Sequence, residues 1–153
     1  MSNNETNMNN ETFVYMGGDS VVPQDVVRVR VHPSVTVIPE KAFYELSKLT
    51  DVELCEGLLE IGSYAFCGGW GRRSALKRVD IPSSVRVIGS YAFNHCSELE
   101  EVILCEGSLE IGSNSFDSCF ALKSIRIPST VTVIHKEAFT NCRKLNEVIL
   151  CEG

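Results

Sequence analysis

The sequence predicts an α/β-type solenoid of about six coils, with a parallel β-sheet on one face and a short second strand plus helical turns on the other. Three observations carry this. Phenylalanine recurs at positions 43, 66, 93, 116 and 139, separated by 23, 27, 23 and 23 residues. Around each ring one phrase repeats, as VTVIPEKAF, LEIGSYAF, VRVIGSYAF, LEIGSNSF and VTVIHKEAF. A second phrase alternates with it, LTDVELC, LKRVDIP, LEEVILC, LKSIRIP and LNEVILC, all reading L-x-x-[VI]-x-[LI]-[CP]. Similarity at a fixed period marks a repeat architecture, in which one unit cannot bury its apolar face until neighbours stack on it.

The elements follow in chain order. Residues 1–12, MSNNETNMNNET, are Asn-rich and apolar-poor and read as a disordered tail. Residues 13–25, FVYMGGDSVVPQD, read as a strand, a Gly-Gly turn and a connector, forming an N-terminal cap. The solenoid occupies 26–153 and opens with the strand VVRVRV at 26–31. In LKRVDIP, Leu76, Val79 and Ile81 point inward while Arg78 and Asp80 point outward. Pro or Cys-Glu-Gly then ends the strand. A second apolar group follows (Val85, Val87 and Ile88), and then a short helical or turn segment such as GSYAFNHC. Stacking gives a right-handed coil with strands about 4.8 Å apart and the phenylalanines as an interior spine.

The 27-residue gap holds four extra residues within CGGWGRRSA (67–75), with the only tryptophan in the chain. Two readings stand. Trp70 folds back over the core edge, or the loop contacts a partner through Trp70, Arg72 and Arg73, since Trp and Arg are enriched at interface hot spots. At the other end, Ile149 and Leu150 belong to a strand with nothing after it. Either the array continues in a longer protein, or that uncapped edge associates end to end with another chain.

The phrase LCEG occurs three times. Cys55, Cys105 and Cys151 fall in the slot that Pro82 and Pro128 fill in alternate coils and His32 fills in the first, so the slot does not demand thiol chemistry. Their neighbours Glu56, Glu106 and Glu152 read as solvated turn residues. Cys96, Cys119 and Cys142 each follow a column phenylalanine by three residues and form a single file. A file suits buried thiols acting as small hydrophobes better than disulfides or tetrahedral zinc. His32, His95 and His135 share no motif that would supply a base for a nucleophilic cysteine. GxGxxG, P-loop, HExxH and CxxC patterns are absent. The expectation is a non-enzymatic chain with no cofactor and no metal.

On the outer side of the long strands, one column runs Arg28, Asp51, Arg78, Glu101, Ser124, Glu147 and the next Arg30, Glu53, Asp80, Ile103, Arg126, Ile149. The first four residues of the first column alternate in sign, which suits a solvated ladder fixing register. The alternative is a partner surface centred on Ile103 with Arg78, Asp80, Glu101 and Arg126 around it.

A formal net charge of −6 argues against a nucleic-acid surface. No apolar run approaches the roughly 20 residues of a membrane span. The start shows neither a basic nor an apolar leader region, which favours a cytoplasmic site with reduced thiols.

The L-x-x-[VI]-x-[LI]-P, V-x-x-I and A-F-x-x-C phrases resemble the BspA-like group of leucine-rich repeats over about residues 26–153. The resemblance implies a curved leucine-rich-repeat solenoid used for adhesion or protein binding. The functional expectation is a protein–protein interaction scaffold whose rigid surface loses little entropy on binding an as yet unidentified protein. An extracellular adhesin or carbohydrate binder is the alternative.

Overall fold

Alternation of apolar and polar residues produces the long strands. In β2 (Arg28–Val31), Val29 and Val31 are buried while Arg28 and Arg30 are exposed. The same alternation forms β4 (Asp51–Glu53), β6 (Arg78–Ile81), β8 (Glu101–Leu104), β10 (Ser124–Ile127) and β12 (Glu147–Leu150). Each of these except β12 is followed one corner later by a two-residue strand: β3 (Val37–Ile38), β5 (Glu60–Ile61), β7 (Val87–Ile88), β9 (Glu110–Ile111) and β11 (Val133–Ile134). The structure, a computed structural model, describes residues 11–107 and 110–152. Most of the predicted tail, residues 1–10, lies outside the described residues. The first strand, β1 (Thr12–Tyr15), pairs in parallel with β2.

The short strands form one continuous five-stranded parallel sheet in the order β11-β9-β7-β5-β3. The long strands divide into three ladders, β1-β2-β4, β6-β8 and β10-β12, rather than the single predicted sheet. At the first break Glu53 and Asp80 fall in one outward column, and like charges placed opposite each other disfavour pairing. A cleft of about 240 Å³, lined by Asp51, Glu53, Arg78 and Asp80 among others, opens there. Nothing in the structure explains the second break. Within the ladders the register is the one the columns require: Arg28 opposite Asp51, Arg78 opposite Glu101, Ser124 opposite Glu147.

The predicted α/β class is overturned. The chain is a β-solenoid of about five turns, and none of the described residues is helical. The reason lies in the backbone around each phenylalanine. Lys41, Tyr64, Tyr91, Asn114 and Glu137, each two residues before a column ring, all have φ between 54° and 59°. Glu45, His95, Ser118 and Asn141, two residues after, are also left-handed. A right-handed helix cannot run through such residues. In every coil but the last, their amides reach the next coil instead, together with those of the rings between them. Phe43 N donates to Ala65 O at 2.8 Å, Phe66 N to Ala92 O at 2.7 Å and Phe93 N to Ser115 O at 2.8 Å. The intervening amides close four-residue turns, such as Ala92 N to Gly89 O at 3.2 Å. The supposed helical turns are therefore a third face of inter-coil hydrogen bonds.

Inside, the rings of Phe43, Phe66, Phe93, Phe116 and Phe139 stack in one file with centroid steps of 4.9, 5.1, 5.3 and 5.5 Å. Tyr15 meets Phe43 edge-on at 5.0 Å and extends the file into β1. At the opposite end β11 and β12 leave Val133, Ile134, Val148 and Leu150 exposed.

The cysteine file lies beside the rings. None of the seven cysteines forms a disulfide. Cys96 Sγ donates to Phe66 O at 3.2 Å, Cys119 Sγ to Phe93 O at 3.3 Å and Cys142 Sγ to Phe116 O at 3.1 Å. Burial pushes the Cys96 thiol up to about 12 and that of Cys142 to about 11, and raises Cys119 as well. A thiol so shifted is inert near neutrality, because the thiolate is the nucleophile. Iodoacetamide at neutral pH is expected to label Cys55, Cys105 and Cys151 in the native protein and to spare Cys96 and Cys119. Mass mapping that finds Cys96 modified as fast as Cys55 contradicts this burial.

LCEG proves to be a clamp between coils. The Glu56 carboxylate is exposed, yet it accepts bonds from Ser83 Oγ at 3.0 Å, Ser83 N at 3.0 Å and Ser84 N at 3.1 Å in the following turn. Ser84 Oγ in return accepts from Gly57 N at 3.0 Å. The next copy repeats the pattern more loosely, with Ser129 Oγ donating to Glu106 at 3.4 Å and Gly107 N to Thr130 Oγ1 at 2.8 Å. The glutamates are thus bonded as well as solvated. The Ser83 hydroxyl, followed by the Ser83 amide, holds the Glu56 carboxyl below its ordinary range. A carboxyl depressed on folding stabilises the fold above its unfolded pKa, and that contribution disappears as pH falls through the folded value. The melting temperatures of the native protein and Glu56→Gln are therefore expected to differ at neutral pH and to converge below the ordinary carboxylate range. A gap that stays constant down to pH 2 contradicts the clamp.

Candidate binding groove

The insertion creates the most distinctive surface. Gly69 and Gly71 have φ of 75° and 73°, a conformation glycine adopts without strain. A side chain at Gly69 would also collide with Glu45. The loop so shaped directs Trp70 away from the core edge, leaving the residue 87% exposed. Its ring lies 5.0 Å from that of His95, tilted by 53°.

Beside the loop runs a groove of about 490 Å³ whose lining includes Arg72, Arg73, His95, Glu98, Phe120 and Lys144. Arg73 Nη1 stands 3.8 Å from Glu98 Oε1. The Arg143 guanidinium lies 4.8 Å from the centre of the Phe120 ring, a cation–π contact that sets this cation against a ring of the groove wall. Among the described residues Arg72, Arg143 and Lys144 form no ion pair.

Sequence reasoning placed Trp70, Arg72 and Arg73 here but missed Phe120, Arg143 and Lys144, and treated His95 only as a candidate base. The signal was present. Ser97, Phe120 and Arg143 each stand four residues past a column phenylalanine and share one repeat position, and Trp70 has the same offset inside the insertion.

The remaining candidates lie on the long strands, and none of them lines the groove. Arg78 Nε donates to Asp80 Oδ1 at 2.9 Å and Arg78 Nη1 to Glu101 Oε2 at 2.7 Å, so this cluster satisfies itself. Arg30 and Glu53 pair at 2.7 Å in the same way. Exposed pairs of this kind contribute little stability. Ile103 is half-buried rather than projecting into solvent. Arg126 Nη1 donates to Cys151 Sγ at 3.7 Å. Among the described residues, no group of three or more His, Cys, Asp or Glu side chains is placed to hold a metal, and no helix is long and apolar enough to cross a membrane.

Comparison with known proteins agrees with the geometry. No curated protein sequence matches the chain. Among solved structures, a leucine-rich repeat protein from Bacteroides ovatus is 28% identical with a TM-score of 0.57, over 80% of this chain and 37% of its own. The pneumococcal vaccine antigen PcpA shares the fold at 22% identity and a TM-score of 0.65, over 90% of this chain and 33% of its own. The chain thus spans about a third of the length of either protein. The leucine-rich repeat protein of T. pallidum is 25% identical with a TM-score of 0.65, over 83% of this chain and 70% of its own. Residues 24–146 match six copies of the BspA type leucine-rich repeat region. With most of its length so matched, the chain belongs to the BspA-type leucine-rich repeat family.

Proposed function

We propose that this chain is a non-catalytic, adhesin-like binding module that engages its partner through the groove beside the insertion loop. The observation that carries the reading is the position of Trp70. A large aromatic residue left 87% exposed on a loop anchored between hydrogen-bonded coils gains area on binding without reorganising the scaffold. Membership of a repeat family of binding scaffolds supports the same reading. The fold is shared with a protein described as a vaccine antigen, which makes an extracellular partner the first to test. A cytoplasmic scaffold is the second reading, favoured by seven unpaired thiols.

Surface plasmon resonance of the immobilised chain against purified extracellular proteins and glycans tests the proposal. Saturable binding to at least one of them is expected, lost in the double variant Trp70→Ala/Arg72→Ala while its melting temperature stays unchanged. Binding to none, or binding untouched by the double variant, overturns the reading.

A further inference from the structure

We infer that the occupant of the groove is an extended acidic segment of a protein, its carboxylates meeting Arg72, Arg143 and Lys144 and its apolar side chains meeting Trp70 and Phe120. The inference rests on the binding reading above and names the chemistry of the partner.

Charge carries the first half of the argument. The chain has a formal net charge of −6, yet of the residues lining this groove Glu98 alone is acidic, and it already faces Arg73. Arg72 and Lys144 have no counter-ion among the described residues, and Arg143 is stacked on Phe120 rather than paired. A positive groove on a negative body attracts a negative ligand selectively, because the rest of the surface repels it. Guanidinium groups match the planar carboxylate better than any neutral acceptor.

Shape and polarity carry the second half. The groove crosses the coils that contribute Trp70, His95, Phe120 and Lys144, which are three inter-coil steps, or about 14 Å at the spacing of adjacent strands. An extended peptide covers that with four or five residues. An indole at one end and a phenyl ring two coils further on offer apolar contacts along such a segment, with cations of the loop and of the last coil beside them. A glycan fits less well. Sugar hydroxyls need acceptors as well as donors, and apart from Glu98, which faces Arg73, only Ser97 and His95 among the lining side chains can accept.

Fluorescence anisotropy on the full chain tests the inference with three probes: a labelled pentapeptide alternating glutamate and phenylalanine, the same peptide with lysine for glutamate, and a labelled tetra-uronate. The acidic peptide is expected to bind saturably and more weakly as salt is raised. Its affinity is expected to fall about tenfold, one decade in Kd, in Lys144→Glu and in Arg72→Ala. Arg126→Ala, which removes a cation on the long strands, is expected to leave it unchanged. Thermal melts establish that each variant folds. The inference is overturned if the lysine peptide binds as well as the acidic one, if the tetra-uronate binds more tightly than either, or if Arg126→Ala weakens binding as much as Lys144→Glu. Absence of acidic-peptide binding also overturns it. Should the Trp70→Ala/Arg72→Ala variant still lose binding to another ligand in that case, the binding reading survives and only the chemistry of the partner is wrong.

Discussion

Phe116→Ala is expected to lower the free energy of unfolding by about 3–5 kcal/mol, the range for truncating a buried aromatic side chain. Phe116 is fully buried between Phe93 at 5.3 Å and Phe139 at 5.5 Å. Removing it leaves a void that neither neighbour can fill. The backbone around the ring is tied to adjacent coils, Phe93 N to Ser115 O at 2.8 Å and Phe116 N to Ala138 O at 2.8 Å. Collapse into the void would require breaking that ladder. Since a domain of this size is stable by about 5–15 kcal/mol, the loss is a large share of the total. Urea denaturation followed by circular dichroism measures it, and a midpoint unchanged from the native protein contradicts the role assigned to the ring.

The second large effect comes from adding an atom. Gly62, Gly89 and Gly112 stand one residue after Ile61, Ile88 and Ile111, at the corner between the short-strand sheet and the turn ladder. A Cβ built on Gly89 would lie 2.7 Å from the carbonyl carbon of Gly62 and from Ser63 N. One on Gly112 would lie 2.7 Å from the corresponding atoms of Gly89 and Ser90. These contacts are with backbone, which cannot rotate aside. Gly89→Ala must therefore separate two coils that are joined at 2.7 Å by Gly89 N to Ile61 O and stacked through their rings at 5.1 Å. A loss of about 1–3 kcal/mol is expected, as for other overpacked sites. The same slot holds Pro39 in the first coil and His135 in the last. His135 is exposed and pairs with Glu110 at 2.8 Å, in a terminal turn with room to shift. A variant His135→Gly is accordingly expected to change stability far less than Gly89→Ala. Equal effects contradict the close-approach explanation.

These two positions show what the repeat made legible. A residue whose environment is identical in every coil recurs at one spacing, so the phenylalanine file and the strand columns could be read before any coordinates. Arg78 opposite Glu101 and Arg28 opposite Asp51 follow from counting along the repeat. The segment GSYAFNHC was less legible. Its apolar spacing suits a helical turn and a tight bend alike over so few residues. The deciding feature was left-handed backbone at Tyr91 and His95, residue types whose φ is not written in their chemistry. The Glu56 clamp was hidden for a different reason. A glutamate beside glycine in a turn reads as solvated until Ser83 and Ser84 of the next coil are seen to face it.

The groove was half legible. Trp70, Arg72 and Arg73 announced themselves by breaking the period. Phe120 and Arg143 kept the period and so passed as ordinary repeat residues, although their file holds serine at 97. Function in a repeat protein resides in such departures within a file, because the scaffold uses everything that stays constant.

The claim on which all of this depends is that successive coils lie flush, with like residues in vertical files. Ring positions in a crystal structure test it most directly. The account predicts that the centroids of Phe43, Phe66, Phe93, Phe116 and Phe139 form one row with steps of about 5 Å, each ring nearly parallel to the next. Rings scattered through the interior, or a row interrupted at the insertion between Phe66 and Phe93, would contradict it.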